Sequence, residues 1–321
     1  MMKRLALAFA LFIFTLSSAF AGLADRPDVK AFISEMVEKH GFKRSELVSI
    51  MNKATIQQSI IDAMNRPAEG KPWYQYRPIF ITEQSINSGV AYYQTHKDAL
   101  KRAEREYGVP AEMIVAIIGV ETRYGKNKGS YSVLDALSTL AFDYPKRAPF
   151  FKSELEAFLL LTREEKIDPT TLKGSYAGAM GTPQFMPSSY RAWAVDFTGN
   201  GKRNLWDNDT DAIGSVANYF AKHGWQKNEP IAFKAQLSTP IDIPSNVVKP
   251  TTPFKVYKSK GVKISGKLPD EALTSLLAYD DGQSHEYWLG LNNFYVITKY
   301  NSSPLYALAV YQLSEEIKAR I

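Results

Sequence analysis

Glu121 closes an apolar stretch, Met113-Ile114-Val115-Ala116-Ile117-Ile118-Gly119-Val120, and is followed at once by Thr122-Arg123-Tyr124-Gly125. Ile118, Ile117 and Ile114 stand three, four and seven positions before it, so at helical spacing the carboxylate falls on the apolar stripe. A carboxylate deprived of water there favours its protonated form, which raises its pKa toward neutrality. That is the property a general acid needs. The competing reading is a solvated helix-end carboxylate, or one paired with Arg123.

Other chemistries find little support. The four histidines, His40, His96, His223 and His285, are scattered, and His40 and His223 precede glycines that end helical patterns. There is no cysteine nucleophile, no H-E-x-x-H pattern and no G-x-S-x-G elbow. The glycines between 174 and 201 do not follow a strand in a dinucleotide-type unit, which argues against a phosphate cradle. A second dense region runs from Gly174 to Tyr190. Its small residues allow a ligand close to the backbone; Ser175 and Gln184 can hydrogen-bond hydroxyls or amides, and Tyr176 and Phe185 offer flat faces to sugar rings. A tight connection between helices accounts for the same composition.

The elements that must position these groups are mostly helical. Val29, Phe32, Ile33, Met36 and Val37 recur at helical spacing up to His40-Gly41, and shorter patterns follow at Glu46–Lys53 and Ile56–Met64. Pro67–Pro78, with Trp73, Tyr74 and Tyr76, reads as a break. A long polar helix over Glu83–Tyr107 then leads to the Glu121 helix, which opens with Pro110 and Glu112. Pro149–Glu165 and Thr210–His223 add two more helices. Beyond Trp225 the texture changes: prolines alternate with short runs such as 231–235, 254–257, 272–278 and 287–291, which read as strands. Pro304–Arg320 returns to helical spacing. The expected organisation is a leader at 1–21, a helical catalytic domain at 22–229, a small strand-rich subdomain at 230–292, and a C-terminal segment and helix at 293–321 packing on the catalytic domain.

The 321 residues carry 45% hydrophobic and 22% charged side chains, ordinary for a globular protein. Lys3-Arg4, the apolar run Leu5–Leu16 broken only by Thr15, and Ser17-Ser18-Ala19-Phe20-Ala21 have the form of a cleavable export signal with Gly22 as the first mature residue. No second apolar run of spanning length follows. Without cysteine the chain lacks the residue that carries a lipid anchor, so the expectation is an exported, soluble, periplasmic monomer held together by core packing. The formal charge is +6, and removing Lys3 and Arg4 takes two away to leave +4. That suits a polyanionic neighbourhood, and a solvated surface equally; no basic run or zinc-finger spacing points to nucleic acid.

Three segments taken together, Gly119–Gly125, Gly178–Pro187, and Asn204-Leu205-Trp206-Asp207 through Ala217-Asn218-Tyr219-Phe220, resemble the lytic murein transglycosylase B family. The match runs from about Pro27 to Tyr311 with the motifs in the family's order. The resemblance implies a mainly α, lysozyme-like (α+β) fold acting on the glycan strands of peptidoglycan. It implies cleavage of the β-1,4 bond between N-acetylmuramic acid and N-acetylglucosamine, leaving 1,6-anhydromuramyl ends. One glutamate, here Glu121, would serve as acid and then as base. This accounts for the lack of a second marked carboxylate, which ordinary glycosidases require. The same resemblance implies that Ser175, Gln184, Tyr219, Tyr300 and Asn301 line the cleft, with Tyr76, Tyr306 and Arg147 beside them. Lys146-Arg147 would meet substrate carboxylates or form a solvated basic pair. A hydrolytic muramidase and a non-catalytic peptidoglycan-binding scaffold are the alternatives, and other cell-wall enzymes are candidate partners.

Asp196-Phe197-Thr198-Gly199-Asn200-Gly201-Lys202 to Asp207 has oxygen ligands at positions one, three, five and twelve and Gly at six, an EF-hand-like spacing. Asp196, Thr198, Asn200, Lys202 and Asp207 are the candidate ligands of a structural calcium. The alternative is a metal-free turn. No cofactor is expected for the chemistry.

Overall fold

A computed structural model of the chain describes residues 22–66, 70–243 and 248–321. Residues 1–21, read from sequence as a signal, and Pro67 and Pro244 lie outside the described residues. The chain divides into two compact units with the break between Thr55 and Ile56.

In the first unit a short 3-10 turn, Leu23–Asp25, precedes α1 (Pro27–His40) and α2 (Arg44–Met51). Proline opens α1, Val29, Phe32, Ile33 and Met36 form its buried stripe, and Gly41 ends it at φ 66°. Leu47 and Met51 are the buried residues of α2, which packs on α1.

The second unit opens with α3 (Gln58–Met64), α4 (Trp73–Phe80), α5 (Glu83–Thr95), α6 (Lys97–Tyr107) and α7 (Ala111–Thr122). Two sequence readings change here. The stretch taken as a break up to Pro78 contains a helix: α4 starts after Pro72 and buries Trp73 and Tyr76, while Pro78 sits near its end, where little helix is left to disrupt. The single helix expected over Glu83–Tyr107 is two, because His96 leaves helical geometry at φ −113°, ψ 22°. Its ring lies 4.3 Å from that of Tyr92, and its Nε2 is 3.4 Å from Asp209.

The strand β1 (Tyr131–Ser132), α8 (Val133–Asp143), α9 (Ala148–Glu165), β2 (Lys173–Gly174), α10 (Pro187–Trp193) and α11 (Asp209–Lys222) come next. β1 and β2 pair antiparallel, Tyr131 opposite Gly174. Then come β3 (Ala232–Leu237), β4 (Thr252–Pro253), α12 (Phe254–Ser259), β5 (Val262–Ile264), β6 (Leu273–Asp280), β7 (His285–Gly290), α13 (Asn292–Tyr300) and α14 (Pro304–Lys318). The five strands β3–β7 form an antiparallel sheet in the order β4-β6-β7-β3-β5. Phe254–Tyr257, read as a strand, is helical: Pro253 caps α12 and only Phe254 is buried, so a four-residue apolar cluster mimicked alternation.

α7 is the centre of the unit. Met113 to Gly119 are all buried, and α5, α6, α11 and α14 surround them. A helix apolar on every side is stable only in such a position. β6 alternates between two interiors: Leu277 and Tyr279 join the main core, whereas Leu276 joins a smaller one with Ala235, Phe254, Val262 and Leu289.

Candidate active site

Glu121 occupies the last turn of α7 and is half-buried. The helix stops there because Arg123 and Tyr124 both take left-handed backbone, at φ 51° and 62°. That reversal folds the Tyr124 ring back against the helix, where a Cβ on Gly119 would meet Tyr124 Cζ at 2.6 Å. Tyr124 donates its hydroxyl to the Ser85 carbonyl at 2.8 Å, and burial pushes its pKa up to about 12.

Thr122 joins this helix end to the second dense segment. Its buried hydroxyl contacts the carbonyls of Thr182 at 2.9 Å and Ile118 at 3.2 Å and accepts from Gly125 N at 3.0 Å. The 174–186 segment folds as a chain of tight turns. Gly174 bridges Met180, which bridges Phe185, and Gly178 and Gly181 adopt φ 83° and 69°. A Cβ on Gly181 would fall 2.4 Å from the Leu205 carbonyl, so close approach of backbones requires glycine there. Ser175 Oγ accepts from the amides of Ala177 and Ala179, and the Gln184 amide donates to the carbonyls of Lys128 and Gly181. Ser175 and Gln184 therefore hold the turns as well as presenting themselves at the surface. The tight connection allowed by the composition is what these turns form.

An aromatic row connects that segment to Glu121. Tyr306, from α14, donates its hydroxyl to Glu121 Oε1 at 2.6 Å. Tyr300 stacks parallel to Tyr306 with centroids 6.5 Å apart and donates to the Pro183 carbonyl at 2.6 Å. Tyr219 stands edge-on to Tyr300 at 4.9 Å and donates to the Lys299 carbonyl; Phe185 packs on both, at 5.6 and 5.9 Å. Burial, and after it the Glu121 charge, hold the Tyr300 and Tyr306 hydroxyls well above the ordinary phenol range, so both stay neutral donors. Tyr76 is buried on α4 close enough to Tyr306 to raise it further. Asn301 Oδ1 accepts from Ser303 N at 3.0 Å, turning the chain from α13 into α14. Arg147 is placed differently from these: it is exposed at the start of α9, its guanidinium 4.2 Å from the Phe150 centroid.

In the EF-hand-like loop, Asp196 accepts from the amides of Gly199, Asn200 and Gly201 and from the Thr198 hydroxyl, and Asn200 Oδ1 accepts from Lys202 N. Asp207 is exposed and uses its amide toward Asn204. The acid that closes the loop is Asp211, fully buried, which accepts from Thr198 N and Oγ1 and from Asn204 N. Twelve-residue spacing stops four residues short of it, at Asp207, because Asp211 belongs to the first turn of α11. The oxygen donors at Asp196, Thr198 and Asn200 are of the type calcium takes, but they are short of charge. Among the described residues no three acidic or histidine side chains gather as metal ligands.

A model of the family described as transglycosylase SLT domain matches residues 24–315, most of the chain. The chain belongs to this family of lytic transglycosylases. Membrane-bound lytic murein transglycosylase B of Escherichia coli (strain K12) is 46% identical over 310 residues, covering 92% of this chain and 83% of that protein. Soluble lytic transglycosylase SltB1 of Pseudomonas aeruginosa is 50% identical, with TM-score 0.85 over 92% of this chain and 99% of that one. Escherichia coli Slt35 in complex with calcium is 46% identical, with TM-score 0.87 over 92% and 94% of the two chains. SltB3 of Pseudomonas aeruginosa, in complex with NAG-NAM-pentapeptide, is 30% identical, with TM-score 0.79 over 90% and 78%. The fold is accordingly lysozyme-like, mainly helical with a small antiparallel sheet. Among the described residues no helix is long and apolar enough to cross a membrane.

Proposed function

We propose that the chain cleaves the β-1,4 bond between N-acetylmuramic acid and N-acetylglucosamine in peptidoglycan, leaving 1,6-anhydromuramyl ends. The observation that carries this is the half-buried Glu121 carboxylate at the end of the core helix, held at Oε1 by a tyrosine hydroxyl that donates to it. Protonated Glu121 gives its proton to the leaving glycosidic oxygen as the C1–O bond breaks. The carboxylate so formed then takes the proton of the sugar's C6 hydroxyl while that oxygen bonds to C1, so the acid is regenerated and no water is consumed.

Each step leaves Glu121 in the form the next requires. Tyr306 assists the first by stabilising the carboxylate as it forms. The Ser175–Phe185 turns with Tyr219, Tyr300 and Asn301 would line the sugar path, and Tyr76 and Arg147 would flank it. Peptide-substituted strands, of the kind bound by the SltB3 relative, are the natural substrate class. The compartment that holds the wall is the place of action, which the signal-like residues 1–21 support. In the loop, Asp196, Thr198, Asn200 and the Lys202 carbonyl would hold a calcium ion that serves structure alone.

The test is end-group mass spectrometry of digested sacculi with wild type and Glu121→Gln. Anhydromuramyl ends from the wild type, absent with the variant although it still binds sacculi, are expected. Reducing muramic ends would make the chain a hydrolase, and sacculus binding without released fragments would make it a scaffold.

A further inference from the structure

A cavity of about 680 Å3 lies at the opposite end of α7 from Glu121. The end of α6, the first turn of α7, the segment between α11 and β3, strands β3 and β7 and the second half of α14 contribute to its wall. From Glu112, on that wall, to Glu121 the helix rises about 14 Å at about 1.5 Å per residue. The cavity shares no residue with the row of Tyr219, Tyr300 and Tyr306 or with the 174–186 turns. Trp225, Phe233, Trp288 and Tyr311 give it aromatic surface. Trp288 and Tyr311 meet edge to face at 5.9 Å and 90°, so their flat sides turn in different directions. The indole N–H groups of Trp225 and Trp288 are buried, and among the described residues neither has an acceptor. A buried donor without an acceptor costs free energy, which a ligand oxygen would offset.

We propose that this cavity is a second, non-catalytic binding site for a stretch of N-acetylhexosamine glycan, and that it keeps the enzyme on the polymer between cuts. Charge argues for a neutral ligand. Four glutamates and three lysines share the wall and nearly cancel. Two of the lysines are already paired, Lys318 with Glu112 at 3.1 Å and Lys234 with Glu286 at 3.5 Å. Glu229 and Glu315 are exposed and make no ion pair among the described residues, which leaves them as hydrogen-bond acceptors. Burial, and after it the charge of Glu112, raise the pKa of the half-buried Glu104 carboxyl, which adds a group able to donate as well as accept. A pyranose with an acetamido group presents the matching set: C–H surface for the aromatic rings, hydroxyls for the carboxylates, and a carbonyl oxygen for an indole N–H. The choice of amino sugar rests on the reading of the Glu121 cleft as one that cleaves peptidoglycan; the presence of a saccharide site does not.

The experiment follows the indole N–H resonances of the five tryptophans by NMR while the full chain is titrated with the N-acetylglucosamine tetramer. Trp193, packed edge-on against Tyr219, reports the cleft, and Trp225 and Trp288 report the cavity. Both cavity resonances should shift and saturate, and the glucose tetramer, which lacks the acetamido group, should bind there roughly fivefold more weakly. Two variants locate the site. Trp288→Phe keeps a ring against Tyr311 but removes the N–H, and Glu229→Ala with Glu315→Ala changes only exposed side chains. Each should weaken the binding read at Trp225 by roughly fivefold, the size of one hydrogen bond, with the thermal midpoint, the Trp193 response and kcat on soluble fragments unchanged. Half-saturation on intact sacculi should rise by a similar factor. A response confined to Trp193, silence of both cavity resonances, binding at Trp225 that neither variant weakens, or equal affinity for the glucose tetramer overturns the proposal. Reducing in place of anhydromuramyl ends, with the cavity resonances still shifting, would overturn the reading of the cleft alone.

Discussion

Tyr306→Phe removes one oxygen atom and tests the role assigned to the tyrosine. The exchange keeps the ring that stacks on Tyr300 and the packing of α14, so the loss is confined to the 2.6 Å bond to Glu121 Oε1. A hydrogen bond to a charged group contributes about 1.5–3 kcal/mol. In the first step the carboxylate forms as the proton departs, so this bond strengthens toward the transition state and its loss appears in kcat. Glu121 is half-buried, and water can replace part of the donor, which puts the effect at the lower end. The expected loss is roughly tenfold in kcat with KM little changed. The pH profile fixes the sign. A donor to the carboxylate favours the charged form, so removing it raises the pKa of Glu121 and moves the basic limb of kcat/KM to higher pH. The measurement is release of soluble anhydromuropeptides across pH. A variant within twofold of wild type at every pH, or a basic limb moving downward, would refute the reasoning.

Gly119→Ala should destabilise the fold by about 1–3 kcal/mol, because the new methyl meets the half-buried Tyr124 ring at 2.6 Å. This outweighs the roughly 0.5–1 kcal/mol that alanine offers a helix interior; a urea midpoint equal to or above wild type would show the ring yields freely. The charge-poor loop at Asp196–Asp207 should bind calcium only at about millimolar levels, so 1 mM calcium should add about 0.4 kcal/mol, a thermal shift of about 1–2 °C. Chelation lowering the midpoint by ten degrees, or abolishing cleavage, would contradict that.

Much of this arrangement is written locally in the chain. The apolar stripe of α7, the acid on it and the small-residue turns at 174–186 are each visible as short patterns, because helix periodicity and glycine placement act over a few residues. What periodicity cannot give is which distant side chains meet. Tyr306 reaches Glu121 across 185 positions, and nothing in its local sequence marks it beyond family likeness. Thr122 is similar: its hydroxyl joins two motifs, but as a letter it is one more small residue beside a conspicuous acid. Asp211 escaped for the opposite reason, since a first-turn aspartate of a helix already has a local explanation. The misread α4 shows the limit of breaker residues. Pro72 caps, and Pro78 lies within, a helix that burial of Trp73 and Tyr76 makes worthwhile.

The bond between Tyr306 and Glu121 also imposes an order of events. α7 is made early in synthesis, yet its apolar surface is covered in part by α14, and its acid is oriented by a residue of that same late helix. Contacts so far apart in sequence close late in folding. The folding chain therefore passes through a stage in which the acid exists but is not aimed. The cutting tool is complete only when its last helix docks, so a copy that lacks α14 also lacks the donor that aims its acid.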